Sequence, residues 1–118
     1  MISIKETGNP SEKRRVPRIP VDFPVTVTWG QKQYRWKASE FSEYGILLLS
    51  TRKELVGEEI HLSLYLDNSQ PSLDLIGVVA YTTDIGLGVR FKNVRPEDHV
   101  TLKYYVLSRG IGAHKPQS

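Results

Sequence analysis

The sequence predicts a mainly β protein in which six short antiparallel strands close into a small barrel, followed by one C-terminal α-helix. Three observations carry that prediction. Apolar residues recur with period two in short runs between Val25 and Phe91. Glycine, proline and small polar residues separate those runs. The one clear helical pattern begins only at Pro96. Six short strands in a chain of 118 residues must manage their exposed edges, and closure does so economically, a sandwich being the alternative.

Residues 1–11 are polar and broken by Gly8, Asn9 and Pro10, which predicts a flexible N-terminal tail, free to order on binding. Pro17, Pro20 and Pro24 hold the next stretch extended. Val25, Val27 and Trp29 then alternate with Thr26 and Thr28, as a half-buried strand requires. Gly30-Gln31-Lys32 reads as a tight turn, and Tyr34, Trp36 and Ala38 alternate with Arg35, Lys37 and Ser39 in a second strand. The two form a hairpin. Pairing about Gln31 sets Asp22 near Glu40, so the segment before the first strand meets the segment after the second.

That second segment is a polar turn, Glu40 to Gly45, and it leads into Ile46-Leu47-Leu48-Leu49, a well-buried third strand. Residues 50–58 read as a loop, polar except for Leu55 and Val56. Ile60, Leu62, Leu64 and Leu66 alternate with His61, Ser63 and Tyr65 in the fourth strand. Asp67 to Ser72 is a turn, Leu73 to Tyr81 the fifth strand, and Gly86 to Phe91 the sixth, after the Thr82-Thr83-Asp84 turn. Pro96 suits a first helical turn, Glu97 and Asp98 complement the positive end of the dipole, and Gly110 is placed to stop the helix. One domain over residues 12–110 results, with a C-terminal tail at 111–118.

The helix is apolar on two sides. Val100, Tyr104, Leu107 and Ile111 share one, and Leu102, Tyr105 and Val106 lie nearly opposite. One side covers the barrel. The other either supports a partner or self-association, a homodimer included, or is wedged between barrel and tail, and the spacing leaves both open.

Composition narrows the function classes. Apolar residues at 39% and charged residues at 25% are the proportions of a soluble globular protein. No apolar run approaches the ~20 residues needed to span a bilayer, so no membrane insertion is expected. Met1 to Pro10 has no apolar signal-peptide core. The absence of cysteine excludes disulfides, thiolate chemistry and a Cys-based zinc site, and a cytoplasmic location is expected. A net charge of +3 is too small to indicate a nucleic-acid binder, but its concentration before Phe23 points to a local anion site. No internal repeat is visible.

Catalysis finds no candidate. His61, His99 and His114 are far apart, without an acid or serine partner at a recognisable spacing, and the acids form no pair suited to acid–base or metal chemistry. Gly86-Leu87-Gly88 lies inside a strand pattern and opens no helix, so it is no phosphate-cradling loop. Neither an enzyme nor a metal or cofactor is expected.

Ligand binding does find one. Lys13-Arg14-Arg15-Val16-Pro17-Arg18 packs four cations into six residues. A solvated linker would share that composition, but the hairpin brings Glu40 to Gly45 beside this one. Arginine forks match phosphate oxygens and the O6/N7 edge of guanine, and a guanidinium also stacks on a base. Arg14 and Arg18, four residues apart on an extended arm, can embrace a ligand bearing both phosphates and bases. A carboxylate at Glu40 can accept from guanine N1–H and N2–H. Ser42 adds a small donor-acceptor, and Gly45 permits close backbone approach or a positive φ. These halves fit a guanine nucleotide better than bare phosphate.

Arg14-x-x-x-Arg18, followed across a hairpin by Glu40-x-Ser42-x-x-Gly45, resembles the two-part signature of PilZ domains, bacterial receptor modules for cyclic di-GMP. The resemblance covers about residues 12 to 109 and includes the proline-punctuated approach to the first strand, the Gly86-Leu87-Gly88-Val89-Arg90-Phe91 strand and the closing helix. It implies a six-stranded PilZ-like barrel with the site on its outer surface. Arg14 and Arg18 would grip phosphate and guanine, with Arg15 a stacking or phosphate contact. Lys13 occupies the position whose side-chain type is associated with binding one ligand or an intercalated pair. Tyr81 is either a stacking residue or a core or rim residue. One position departs: Glu40 stands where the family usually has Asp or Asn, which moves the carboxylate by about 1.5 Å and adds a rotor that binding must freeze.

The implied function is a stand-alone, non-enzymatic bacterial receptor or adaptor. It binds one cyclic di-GMP or an intercalated dimer, changes conformation, and signals in trans to an effector protein that the sequence does not name. The alternative is a PilZ-like interaction module that has lost nucleotide binding, as in a pilus or motility assembly. A nucleic-acid-binding barrel is disfavoured by the balanced charge outside the arm and the lack of an aromatic–basic face.

Overall fold

The computed structural model describes residues 18–66 and 72–114, the last five by their backbone alone. Strands β1 (Ile19–Pro20), β2 (Pro24–Trp29), β3 (Lys32–Phe41), β4 (Gly45–Leu49), β5 (Glu59–Leu64), β6 (Leu73–Thr82) and β7 (Gly86–Lys92) precede helix α1 (Pro96–His114). β2 to β7 form a closed antiparallel barrel in the order β3-β2-β5-β6-β7-β4, sealed by pairing of β3 with β4. β1 is a two-residue ladder on the far end of β3. The barrel and single C-terminal helix are as the sequence predicts, and closure gives every barrel strand two neighbours.

Period-two patterning is the physical cause of this arrangement. Val25 and Val27 of β2, Ile60, Leu62 and Leu64 of β5, and Leu87 and Val89 of β7 all point inward and are buried. Leu66 falls beyond the end of β5 yet still packs, half-buried, against the core. In the 50–58 connection a short 3-10 turn, Lys53–Leu55, inserts Leu55 so that none of it is exposed. The expected turn at residues 67–71, the N-terminal tail and residues 115–118 lie outside the described residues.

Register differs slightly from expectation. Trp29 pairs with Lys32 around a two-residue turn, so the hairpin centre lies between Gly30 and Gln31 and not on Gln31. Gly30 has φ 62°, the positive value demanded at the first central position of a type II′ turn. The ladder slips once more at residues 21–23, where Val21 N–H donates to the Ser39 carbonyl at 3.0 Å and Ala38 N–H to that of Phe23 at 2.9 Å. Pro20, not Asp22, therefore lies opposite Glu40. The expected consequence survives, because Arg18 still arrives beside the end of β3.

Helix α1 chooses one of its two apolar sides. Leu102 and Val106 are buried, and the Tyr105 ring meets Phe23 and Phe41 edge-on at 6.0 and 5.5 Å. Val100, Tyr104 and Leu107 face away. Gly110 does not stop the helix, which runs on to His114. A glycine inside a helix costs only about 1 kcal/mol, and no proline follows until Pro116. Among the described residues, no helix is long and apolar enough to cross a membrane.

Candidate functional site

The site is built on the β3–β4 turn. Ser42 N–H donates to the Gly45 carbonyl at 2.9 Å, while Ser42 Oγ accepts the N–H groups of Tyr44 and Gly45 at 3.1 and 3.2 Å. Ser42 is largely buried, and its hydroxyl, at the lining of the groove, holds the turn. Of the two roles open to Gly45, close approach is the one observed: a Cβ there would lie 2.5 Å from the Val89 carbonyl oxygen on β7.

A bulge between Ala38 and Glu40 redirects the end of β3. Glu40 then stands outward, 3.5 Å from Arg18, with both side chains about half exposed. From there one row crosses four strands: Glu40 pairs with Leu47, Leu47 with Gly88, and Gly88 with Tyr81. The Tyr81 ring lies flush on Gly88, where any Cβ would strike it. The row floors a groove of about 430 Å³ on the outer barrel face, lined by Arg18, Glu40, Tyr44, Ala80, Tyr81 and Arg90 among others, with Glu40 and Tyr81 at the two ends of the row. That volume falls within the range of small-molecule sites.

The β6–β7 hairpin repeats the β3–β4 hairpin. Adding 41 to each number of the first ladder (Ala38↔Leu48, Glu40↔Leu47, Phe41↔Ile46) gives the second (Val79↔Val89, Tyr81↔Gly88, Thr82↔Leu87), bulge included. The turns match as well. Thr83 N–H donates to the Gly86 carbonyl at 2.8 Å, and Thr83 Oγ1 accepts from Ile85 and Gly86 at 3.2 and 3.0 Å. A Cβ on Gly86 would strike the Leu48 carbonyl, as one on Gly45 would strike that of Val89. The sequence showed no repeat, yet a local two-fold axis passes between Leu47 and Gly88 at the centre of the groove.

Behind the turn, His99 Nε2 of α1 is 3.3 Å from Glu43 Oε2, an ion-pair distance without hydrogen-bond geometry. The His99 ring lies 5.4 Å from that of Tyr44. A hydrogen bond to Glu43, reinforced by its charge, pushes the Tyr44 hydroxyl above its ordinary pKa. Glu43 and His99 are 56 residues apart in the chain, a separation at which sequence spacing gives no sign of their proximity. Among the described residues, no group of three His, Cys, Asp or Glu could hold a metal ion.

The structure thus brings together Arg18, Glu40, Ser42 and Gly45, with Tyr81 facing them. Lys13, Arg14 and Arg15 lie outside the described residues. Sequence reasoning missed Tyr44, Leu47 and Arg90. Arg90 carried a signal, since its place between Val89 and Phe91 sends it outward, whereas Leu47 sits in a continuous apolar run that reads as buried.

The PilZ domain family profile matches residues 12–108. Among curated proteins none matches. The PilZ domain of Escherichia coli YcgR with c-di-GMP is similar in fold at 14% identity and a TM-score of 0.72, over 89% of this chain and 97% of that one. Bacillus subtilis inhibitor of motility MotI/DgrA is similar at 16% identity and a TM-score of 0.68, over 85% of this chain and 52% of that one. The K. pneumonia MrkH–c-di-GMP complex is similar at 15% and 0.67, over 87% and 55%. The chain thus spans about half the length of MotI and MrkH. A profile match covering both the barrel and most of its closing helix makes this chain a member of the PilZ domain family.

Proposed function

We propose that this chain is a non-enzymatic cyclic di-GMP receptor whose ligand lies in the groove between Glu40 and Tyr81. One observation carries the reading: Arg18, Glu40 and the Ser42–Gly45 turn converge on a groove whose opposite wall is an exposed aromatic ring. Arg14 and Arg18 grip phosphate and guanine, Arg15 adds a phosphate or stacking contact, and Glu40 accepts from a guanine edge. Ser42 and Gly45 contribute by shaping the turn. Tyr81 stacks on a base. Lys13 bears on whether one nucleotide binds or an intercalated pair. Closure of the arm over the ligand changes the surface offered to an effector protein in the cytoplasm.

Titration calorimetry with cyclic di-GMP tests this. The wild type gives saturable heat whose stoichiometry distinguishes one nucleotide from two, and Arg14→Ala/Arg18→Ala abolishes it. No heat from folded wild type overturns the receptor reading, whereas tight binding by the double variant overturns the assigned site. A second reading, an interaction module without nucleotide binding, draws on the Arg18–Glu40 pair, in which the longer acid already engages the arginine that a ligand would need.

A further inference from the structure

We propose that His99 is a positioning residue for the nucleotide groove, steadying Glu43 so that Glu43 in turn holds the Tyr44 side chain at the groove's rim. The inference rests on the reading that the groove receives cyclic di-GMP, and it adds two residues that do not themselves line the groove.

Tyr44 is fixed everywhere except in its side chain. Its N–H donates to Ser42 Oγ at 3.1 Å, and its carbonyl accepts from Phe91 N–H at 2.9 Å. The residue is 51% exposed and lines the groove, so the backbone clamp alone leaves χ1 free. Glu43 supplies the missing restraint, since its carboxylate takes the hydrogen bond of the Tyr44 hydroxyl.

That carboxylate cannot hold a ring unless it is held itself. The Glu43 side chain is only 12% exposed, and a carboxylate so far withdrawn from water needs donors or a positive charge beside it. Among the described residues the basic group within ion-pair distance is His99, with Nε2 3.3 Å from Oε2. Nε2 is itself shut off from water and has no hydrogen-bond partner among the described residues, so the acid and the imidazole complete each other. The imidazole also lies 5.4 Å from the Tyr44 ring and limits its swing. Helix α1 keeps it there. His99 precedes the buried Leu102 and Val106 by three and seven residues, a spacing that puts all three on the barrel side of the helix.

The repeated hairpin is an internal control. Thr83 to Gly86 forms the same turn with Asp84 and Ile85 in the places of Glu43 and Tyr44. Asp84 is exposed and makes no ion pair among the described residues. The turn therefore folds without an acid–imidazole pair behind it. What distinguishes the first turn is that it borders the groove.

Two measurements on the full chain test this. Three-bond couplings to the Tyr44 side chain, read by NMR without nucleotide, report a single χ1 rotamer in the wild type and averaging in Glu43→Ala and His99→Ala. Calorimetry with cyclic di-GMP shows each variant binding about two- to twelvefold more weakly, the cost of immobilising one freed side chain. The double variant is no weaker than Glu43→Ala, because His99 acts through Glu43. His99→Gln, whose amide N–H reaches to about where Nε2 stood, keeps both the rotamer and the affinity, and Asp84→Ala changes neither. If His99→Ala does not fold, His99→Asn, too short to reach Glu43, takes its place. A His99 that only packs the helix onto the turn lowers the unfolding midpoint and leaves the couplings unchanged, and that result overturns the proposal. Unchanged affinity in folded His99→Ala, additive losses in the double variant, or an equal loss in Asp84→Ala overturns it too. No heat from the folded wild type overturns the receptor reading, and the couplings then decide the role of His99 by themselves.

Discussion

Glu40 and Tyr81 occupy equivalent positions in two successive hairpins and stand on opposite sides of a floor made by Leu47 and Gly88. The same bulge and the same turn produce both, so one backbone device projects an acid at one wall and an aromatic ring at the other. Cyclic di-GMP is itself two-fold symmetric. The groove has that symmetry in its backbone but not in its side chains, which makes the two walls chemically distinct.

The first prediction concerns the aromatic wall. Tyr81 is 49% exposed, and its ring rests on a glycine and not inside the core. Base–aromatic stacking contributes about 1–3 kcal/mol by alanine substitution. Tyr81→Ala should therefore weaken cyclic di-GMP binding about 5- to 150-fold in calorimetry, Tyr81→Phe should retain it, and the unfolding midpoint should barely move. Unchanged affinity in the alanine variant would remove Tyr81 from the site.

The opposite wall makes a prediction of the reverse kind. Exposed ion pairs such as Arg18–Glu40 contribute little to stability, about 0–1 kcal/mol. Arg18→Ala should leave urea unfolding nearly unchanged yet reduce nucleotide affinity at least tenfold, since a charged hydrogen bond is worth about 1.5–3 kcal/mol. Glu40→Asp shortens the acid's reach towards Arg18 and should preserve or strengthen binding. A tenfold loss in that variant would show that the site is built around the longer acid.

Strand parity made most of this fold readable. The short apolar runs, Gly30 at the turn and Pro96 at the helix start all carried local signals that the tertiary structure respects, although Ile46 to Leu49, continuous in sequence and expected to be well buried, buries only Ile46 and Leu48. Three features were not readable, each for a physical reason. The bulges at Ala38/Glu40 and Val79/Tyr81 shift register without any glycine or proline to mark them. The hairpin repeat hides because a turn needs only a hydroxyl and a glycine three residues later, and Ser42 and Thr83 supply the hydroxyl in different side chains. A helix apolar on both sides, like α1, has no preferred face until the barrel offers Phe23 and Phe41 to Tyr105. Arg18 meeting Glu40 followed from hairpin geometry, whereas Glu43 meeting His99 depended on where α1 docks.

Two surface acids predict an acid-side slope in stability. Lys92 at 2.6 Å, by hydrogen bond and then by charge, holds the Glu59 carboxyl below its ordinary value, and Arg52 at 2.7 Å does the same for Glu54. A carboxyl depressed in the folded state binds fewer protons there than in the unfolded chain, so stability rises with pH. The contribution is present above the ordinary value of 4.5 and is lost as pH falls through the lower folded value. Urea midpoints between pH 3 and 6 should show a shallow decline below that point. Lys92→Met should flatten Glu59's share, and salt should shrink the remainder because both pairs are exposed.

The repeated turn yields the sharpest separation of structure from function. Gly45 and Gly86 each let one strand approach a carbonyl across the β4–β7 ladder, so an added methyl must push backbone and cannot be absorbed by a side chain. Gly45→Ala and Gly86→Ala should each destabilise by about 1–3 kcal/mol or more in urea unfolding. Ser42→Ala and Thr83→Ala each strip the hydroxyl from one turn and should destabilise by about 1 kcal/mol or slightly more. Affinity should break the symmetry. The Ser42–Gly45 turn carries Tyr44 and Gly45 into the groove, whereas no residue from Thr83 to Gly86 lines it. Variants at 42 and 45 should therefore weaken cyclic di-GMP binding beyond their effect on folding, and the matched variants at 83 and 86 should not. Equal losses at both turns would mean that the barrel's rigidity, and not the local turn, governs the site.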